Sequence, residues 1–480
     1  YINGISDDSR TVQPGDLFVA RAGSQHHGEQ FIEHALHNGA AAILVDATSL
    51  LPKEFESAPQ PIIRLPDLDS KRVALAQSFF RHPQQDLTCV AVTGTNGKTT
   101  VTHLVASSLA KMGCSVATLG TLGVGVNGRY QATENTTPGL FELYGRLADL
   151  RAQEIDVVVM EVSSHALDQN RIAGLEFAVA AFTNLSRDHL DYHGSVDAYY
   201  EAKARLFSEY PVGSAVVNIG DEFGQLLFNQ IKAQRLFLTS TEVVKNIAPR
   251  QGQQITYCFP QQVRYSADGI LGNFNINGNH YPFDTSLIGA FNVSNLMIAL
   301  GCLLSLSHEV EESLAALSEV KAPPGRMECF HPKALCASVV VDYAHTPEAL
   351  AAALQAMKPH CSADLWCVFG CGGERDPGKR PLMGAVAEAH AQHVVITDDN
   401  PRHEPSQRII EQILSGLKRP SRAYVEPDRA TAIRHALSQA AADDAVLIAG
   451  KGHETYQIIA DQRLPFDDRE EVRQFLRTIH

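Results

Sequence analysis

One stretch, Val90-Ala91-Val92-Thr93-Gly94-Thr95-Asn96-Gly97-Lys98-Thr99-Thr100, constrains this chain more than any other. An apolar β-run feeds a glycine-bearing turn, and the turn feeds a Lys-Thr pair that opens a helix. That order suits a nucleotide triphosphate. N–H groups of the turn point at phosphate oxygens, and the helix dipole favours negative charge there. Lys98 adds a point charge on the β/γ-phosphates, and the Thr99 hydroxyl is placed to ligate Mg²⁺. Gly94, Thr95, Asn96, Gly97 and Thr100 complete the cradle. Gly94 and Gly97 are separated by two residues, closer than in the commonest phosphate loop. The competing reading is a tight strand–helix turn with a surface lysine.

The rest of the chain bounds the possibilities. Its 480 residues predict about three domains. With 44% hydrophobic and 20% charged residues it is globular, with large cores. A formal charge of −14, without a basic run, argues against a nucleic-acid partner. Anionic ligands must then be held by local Arg, Lys and helix termini. Nine cysteines without a paired framework read as reduced thiols of a cytoplasmic protein, and Cys361, Cys367 and Cys371 fit no zinc spacing. No apolar stretch is long enough to cross a membrane.

Boundaries are expected near residue 87, after a polar Pro-bearing stretch, and near Ala322-Pro323-Pro324-Gly325. They divide the chain into 1–87, 88–325 and 326–480. Beyond the first boundary one pattern recurs: a short apolar run stops abruptly in polar chemistry. Runs at 157–160, 177–182, 338–341, 365–369, 394–397 and 445–449 end in Glu161, Thr183, Asp342, Gly370, Asp398 and Gly450. Continuous apolar runs suit strands of a parallel sheet buried on both faces, and open α/β sheets bind ligands beyond the carboxyl ends of their strands. The predicted class is α/β, with a small α/β first domain, a central P-loop-type ATPase domain with a mostly parallel sheet, and a Rossmann-like C-terminal domain.

Several loop residues carry chemistry. Glu161 and His189 could ligate Mg²⁺ beside Thr99, although Mg²⁺ prefers oxygen; His189 reads equally as a hydrogen-bonding residue of the Asp188-His189-Leu190-Asp191 turn. Lys203, in a helical segment, reads by itself as a solvated charge. Arg375, Lys379 and Arg380 would form either an anion pocket or a solvated loop. Asp399-Asn400-Pro401-Arg402 mixes donors and acceptors on a rigid turn, which suits a zwitterion as well as it suits an ordinary turn.

Together these blocks resemble the Mur ligases, ATP-dependent amide ligases of peptidoglycan precursor synthesis. The resemblance runs over nearly the whole chain. It is carried by residues 8–18, 93–100, Glu134-Asn135-Thr136-Thr137-Pro138, 161–171, 186–194, Phe291-Asn292-Val293-Ser294-Asn295, Pro324-Gly325-Arg326-Met327-Glu328 and the C-terminal loops. Asp399-Asn400-Pro401-Arg402 resembles the motif of the branch that adds meso-diaminopimelate rather than lysine. Diaminopimelate carries a second carboxylate that Arg402 and Arg375 can pair bidentately; lysine would leave that pocket unmatched.

The resemblance implies an enzyme that uses ATP and Mg²⁺ to join meso-diaminopimelate to UDP-N-acetylmuramoyl-L-Ala-D-Glu. It also implies a cytoplasmic monomer that serves cell-wall biogenesis, cell shape and division. Lys203 falls where the family carries a carbamate, and Thr99, Glu161 and His189 fall at the metal site. Lys98, Lys203 and His189 take the catalytic positions. Ser9, Ser24, Gln25 and His26 match UDP contacts, and early uridine contacts are expected to lie before Tyr1. Asn135, Thr136, Thr137, Ser163, Gln169 and Arg171 match positions holding the muramoyl-dipeptide. Gly450 and Glu454 match contacts to the amino-acid end of diaminopimelate, and Asn292, Asn295, Arg326 and Asp342 match nucleotide contacts. A lysine-adding homologue, a folylpolyglutamate synthase-like ligase and a non-catalytic nucleotide-binding scaffold are the alternatives.

Overall fold

The apolar run ahead of the glycine turn forms the strand Thr88–Thr93, buried from Cys89 onward, at the middle of an eleven-stranded sheet. The computed structural model describes residues 1–21, 27–52, 55, 59–242, 252–330 and 337–478. Thr88–Thr93 pairs in parallel with Val157–Glu161 on one side and Phe177–Phe182 on the other. Val116–Gly120 extends the parallel part beyond the first neighbour; Val212–Asn218, Arg235–Thr239 and Gln254–Ser266 extend it beyond the second. Antiparallel strands finish both edges. The periodicity of single strands does not reveal these hairpins, because their burial is irregular: Gly269–Ile276 buries successive residues at both its ends, and Gln254–Ser266 is mostly half-buried.

Helix Lys98–Lys111 leaves the glycine turn and buries Val101, Leu104, Val105 and Leu109, a helical spacing that turns one face to the sheet. Each such side chain contributes about 1.5–3 kcal/mol on burial. Helix Phe291–Ser305 buries eleven of its fifteen residues beside it, so it is apolar nearly all round. The opposite face of the sheet is covered by Leu140–Ala152 and Val196–Ser208.

The first sheet has four parallel strands, Ile5–Ser6, Leu17–Ala20, Ala42–Asp46 and Ile62–Leu65. One face packs on helix Ile32–His37. Val19 and Leu44 on the other join the same core as the central sheet. The last sheet has six strands in the order Glu328–Phe330, Ser338–Asp342, Ala445–Ala449, Leu365–Phe369, His393–Ile396 and Tyr424–Val425, all parallel except the first. Helices cover both its faces. No helix among the described residues is long and apolar enough to cross a membrane. Cys89, Cys114, Cys258, Cys302, Cys361, Cys367 and Cys371 are free thiols.

Candidate active site

Strand order brings three chain-distant loops to one place. The carboxyl ends of Val157–Glu161, Thr88–Thr93 and Phe177–Phe182 are neighbours, so Glu161, the glycine turn and residues 183–186 converge. The turn is held from the third loop: Thr95 N–H donates to the Asn184 carbonyl at 2.8 Å, Asn96 N–H to Asn184 Oδ1 at 3.0 Å, and Thr183 Oγ1 to the Asn96 carbonyl at 2.6 Å. Gly94 is required there. Its φ is 143°, and a Cβ would lie 1.9 Å from Thr183 Oγ1. A Cβ on Gly97 would lie 2.5 Å from Asn295 Oδ1, which places Asn295 against the turn; Asn295 in turn donates to Asn292 Oδ1 at 2.8 Å.

Two lysines crowd one carbonyl. Lys98 Nζ donates to the Gly94 and Thr95 carbonyls at 2.9 and 2.8 Å, and Lys203 Nζ to the same Gly94 carbonyl at 2.8 Å. Burial pushes the Lys98 ammonium down; nearby Glu161 opposes the shift and Arg326 adds to it. Burial and then the charge of Lys98 hold Lys203 well below the usual lysine range. The solvated-charge reading of Lys203 is therefore overturned: the residue is 2% exposed and lies over the Tyr199 ring at 4.5 Å. Tyr199 precedes it by one helical turn, and its hydroxyl bonds to Thr95 Oγ1 at 3.1 Å.

Glu161 is buried and accepts from Thr99 Oγ1 at 3.0 Å, Thr121 N–H at 2.9 Å and Thr121 Oγ1 at 3.0 Å. His189 is exposed, sits beside Asp188 at 3.6 Å and meets the rings of His165 and Tyr199 at 4.9 and 6.0 Å. Among the described residues no three His, Cys, Asp or Glu side chains group as a metal site.

Beyond Glu161 the loops continue as one hydrogen-bonded strip. Thr136 Oγ1 meets Thr121 Oγ1 at 3.3 Å, and Thr137 Oγ1 donates to the Glu161 carbonyl at 2.9 Å. Ser163 N–H donates to Thr137 Oγ1 at 3.1 Å. Arg171 donates to the Thr137 carbonyl at 2.9 Å and to Gln169 Oε1 at 2.7 and 3.0 Å, and Gln169 Nε2 reaches the Tyr192 hydroxyl at 3.0 Å. Asn135 borders this strip, its carbonyl accepting from Thr133 Oγ1 at 3.0 Å.

The last sheet presents its own carboxyl edge. Asp342, pushed up from the usual carboxylate range by burial, accepts from Met327 and Ala344 N–H at 2.8 and 2.9 Å. Arg326 stacks on Tyr343 at 4.7 Å. Asn400 Nδ2 donates to Glu454 Oε2 at 3.1 Å. Arg402 sits at φ 52°, its backbone pinned by Ile458 and Ala460. Its Nη1 donates to the Gly373 carbonyl at 2.8 Å and the Asn400 carbonyl at 3.4 Å. Arg375 is exposed on the adjacent loop.

Residues 1–78 match the Mur ligase family catalytic domain, 92–303 the Mur ligase middle domain and 325–452 the Mur ligase glutamate ligase domain. The UDP-N-acetylmuramoyl-L-alanyl-D-glutamate--2,6-diaminopimelate ligase of Vibrio vulnificus is 42% identical over 477 residues, 99% of this chain and 94% of that protein. Its counterpart from Xylella fastidiosa is 44% identical over 476 residues, again 99% and 94% of the two chains. The chain belongs to the Mur ligase family. A solved structure of a ligase of the same name superposes with a TM-score of 0.71 at 36% identity, covering 100% of this chain and 95% of that one.

Within this Mur ligase the expected residues outside the strip beyond Glu161 divide in three. Gly94 to Thr100, Glu161, Lys203, Asn292 and Asn295 surround the glycine turn, with Arg326 close enough to act on Lys98. Asp399, Asn400, Pro401, Arg402, Gly450 and Glu454 meet at the last sheet. Ser9 lies apart in the first sheet's loops, its hydroxyl with His34 Nδ1 at 3.0 Å. Ser24, Gln25 and His26 lie outside the described residues. The anion pocket expected from Arg375, Lys379 and Arg380 is corrected. Arg380 is fully buried and pairs bidentately with Glu404 at 2.7 Å, and Lys379 Nζ is spent on the His345 carbonyl at 2.9 Å. Sequence reasoning missed Thr121, Tyr192 and Tyr199. Only Tyr199 carried a signal, its i, i+4 spacing to Lys203.

Proposed function

We propose that this chain joins meso-diaminopimelate to the γ-carboxylate of D-Glu in UDP-N-acetylmuramoyl-L-Ala-D-Glu at the expense of ATP. The observation that carries this reading is 42% and 44% identity over 99% of the chain with ligases named for that reaction, in a chain whose Arg402 has one guanidinium edge uncommitted among the described residues.

The γ-carboxylate attacks the γ-phosphate of ATP; the bond to ADP breaks and an acyl phosphate forms. The amine of diaminopimelate then attacks the acyl carbon, loses a proton and expels inorganic phosphate. A carboxylate is a poor electrophile, so phosphorylation supplies the leaving group. Lys98 and the turn N–H groups stabilise the transferring phosphoryl, and positioning contributes much of the rest. Asn292, Asn295, Arg326 and Asp342 hold the nucleotide. Asn135, Thr136, Thr137, Ser163, Gln169 and Arg171 hold the muramoyl-dipeptide, and Ser9, Ser24, Gln25 and His26 the uridine end. Arg402 and Arg375 bind the distal carboxylate of diaminopimelate; Asp399, Asn400, Gly450 and Glu454 bind its other end. The last domain must close on the central one to deliver the amine.

Mg²⁺ would be held by the oxygen donors Thr99 and Glu161, which stand 3.0 Å apart, and His189 and a carbamate on Lys203 would be its further ligands. When bound, it supplies charge neutralisation at the phosphates. The carbamate forms when Lys203 Nζ attacks CO₂ and loses a proton; burial favours the free amine this needs. The test is phosphate release from ATP with the UDP-linked dipeptide and either meso-diaminopimelate or L-lysine. Release with the first only is expected. Equal release with both would overturn the assignment, and release with a folate substrate instead would favour the folylpolyglutamate reading.

A further inference from the structure

Lys451 is a fully buried cation at the last sheet's carboxyl edge, and nothing in the reaction above uses it. It is 0% exposed and stands between two glycines, Gly450 and Gly452, directly after the strand Ala445–Ala449. Its Nζ lies 3.0 Å from Glu454 Oε2, 3.2 Å from Asn400 Oδ1 and 3.7 Å from Asp399 Oδ1. One ammonium thus ties together a carboxylate from its own loop and two residues from the loop after His393–Ile396.

The charges do not cancel. Asp399 and Glu454 bring two negative charges against one from Lys451. The neighbouring Arg429 is already spent on Asp468, the two paired at 2.7 Å with both side chains fully buried. Asp399 Oδ1 is buried and accepts no hydrogen bond among the described residues. Beside it Gly450, at φ 117°, leaves room: a Cβ there would meet nothing nearer than Asp399 Cγ and Arg429 Nη2 at 4.0 Å. A buried acceptor and an excess negative charge beside an open glycine favour a ligand ammonium.

We infer that Lys451 is a positioning residue: it holds Asn400 and Glu454 in the orientation that receives the amino-acid substrate, and it limits the pocket to one net negative charge. The inference rests on the proposed function, because the ligand ammonium is that of diaminopimelate.

The test compares Lys451→Met, Glu454→Gln and the double variant with the wild-type chain, measuring KM for each substrate and kcat. Wild-type turnover with diaminopimelate comes first; its absence would overturn the proposed function and this inference with it. Given turnover, Lys451→Met is expected to raise KM for diaminopimelate by at least about 30-fold, the lower end of the scale of orphaning a buried charge partner. KM for ATP and the UDP-substrate should stay within about twofold, a split that general loosening of the fold would not produce. Because Lys451 acts through Glu454, the double variant should be within about threefold of Glu454→Gln alone. Unchanged KM for diaminopimelate, an equal rise for ATP, or multiplicative effects in the double variant would overturn the inference. If Lys451→Met does not fold, the double variant, which carries one carboxylate fewer, decides against Glu454→Gln by the same threefold criterion.

Discussion

Arg402→Lys is the sharpest perturbation of amino-acid selection. One guanidinium edge is anchored, Nη1 donating to the Gly373 and Asn400 carbonyls at 2.8 and 3.4 Å. Nε and Nη2 form no hydrogen bond among the described residues, so the anchored side chain presents a preset fork to a carboxylate. Lysine keeps the charge, and its backbone tolerates φ 52° no better or worse than arginine, so strain does not confound the comparison. A single Nζ must choose between the Gly373 carbonyl and the ligand. At least one charge-assisted hydrogen bond is lost, about 1.5–3 kcal/mol, which is a rise of about 10- to 150-fold in KM for diaminopimelate. KM for ATP and for the UDP-linked dipeptide should barely move. The diaminopimelate/lysine ratio of kcat/KM should narrow, mainly because the better substrate is weakened. Steady-state kinetics with both amino acids checks this. An unaltered ratio would refute Arg402 as discriminator and direct attention to Arg375.

Three further outcomes follow from the packing. On the proposed reading Lys98 steadies the transferring phosphoryl, so Lys98→Ala should lower coupled ligation by at least about 100-fold in kcat; an unchanged kcat would contradict its role. Lys203→Ala should nearly abolish activity, with partial recovery on adding a short carboxylic acid that can occupy the vacated position; full activity without the acid would remove the carbamate from the scheme. Arg380→Ala takes from Glu404 the bidentate partner that holds its carboxyl down at about 2, leaving it Arg408 at 3.7 Å and the Glu374 N–H at 3.1 Å, and should destabilise the last domain by about 1.5–3 kcal/mol, a fall of roughly 3–12 °C in its Tm. Because that carboxyl is depressed from its ordinary 4.5, its contribution is present above pH 4.5 and lost as pH falls towards about 2, so Tm of the variant should depend less on pH across that window.

The parallel strands and their loaded carboxyl edges were legible because buried parallel strands are written as unbroken apolar runs, and 88–93, 157–161 and 445–449 are buried almost throughout. The glycine turn was legible because Gly94 and Gly97 occupy conformations and clearances that admit little else. The antiparallel edges were not, since strands such as Gln254–Ser266 alternate buried and exposed residues irregularly around a register shift at Gln261/Arg264. Charged residues were the hardest to read. Lys203 and Arg380 look alike in sequence to solvated lysines and arginines, and only tertiary packing reveals that the first is sunk beneath the glycine turn and the second committed to Glu404. Lys451 was passed over for the same reason: its partner Asn400 lies 51 residues away along the chain, and Asp399 one further.

Phosphate release from ATP in the presence of UDP-N-acetylmuramoyl-L-Ala-D-Glu, measured side by side with meso-diaminopimelate and with L-lysine, bears most directly on the function proposed for this Mur ligase. Release that requires both ATP and the UDP-linked dipeptide, and that proceeds with diaminopimelate but at least about 100-fold more slowly with lysine, is the expected result, on the scale set by leaving a charged recognition site unmatched. Release that is indifferent to the amino acid, or that proceeds without the UDP-linked dipeptide, would contradict it.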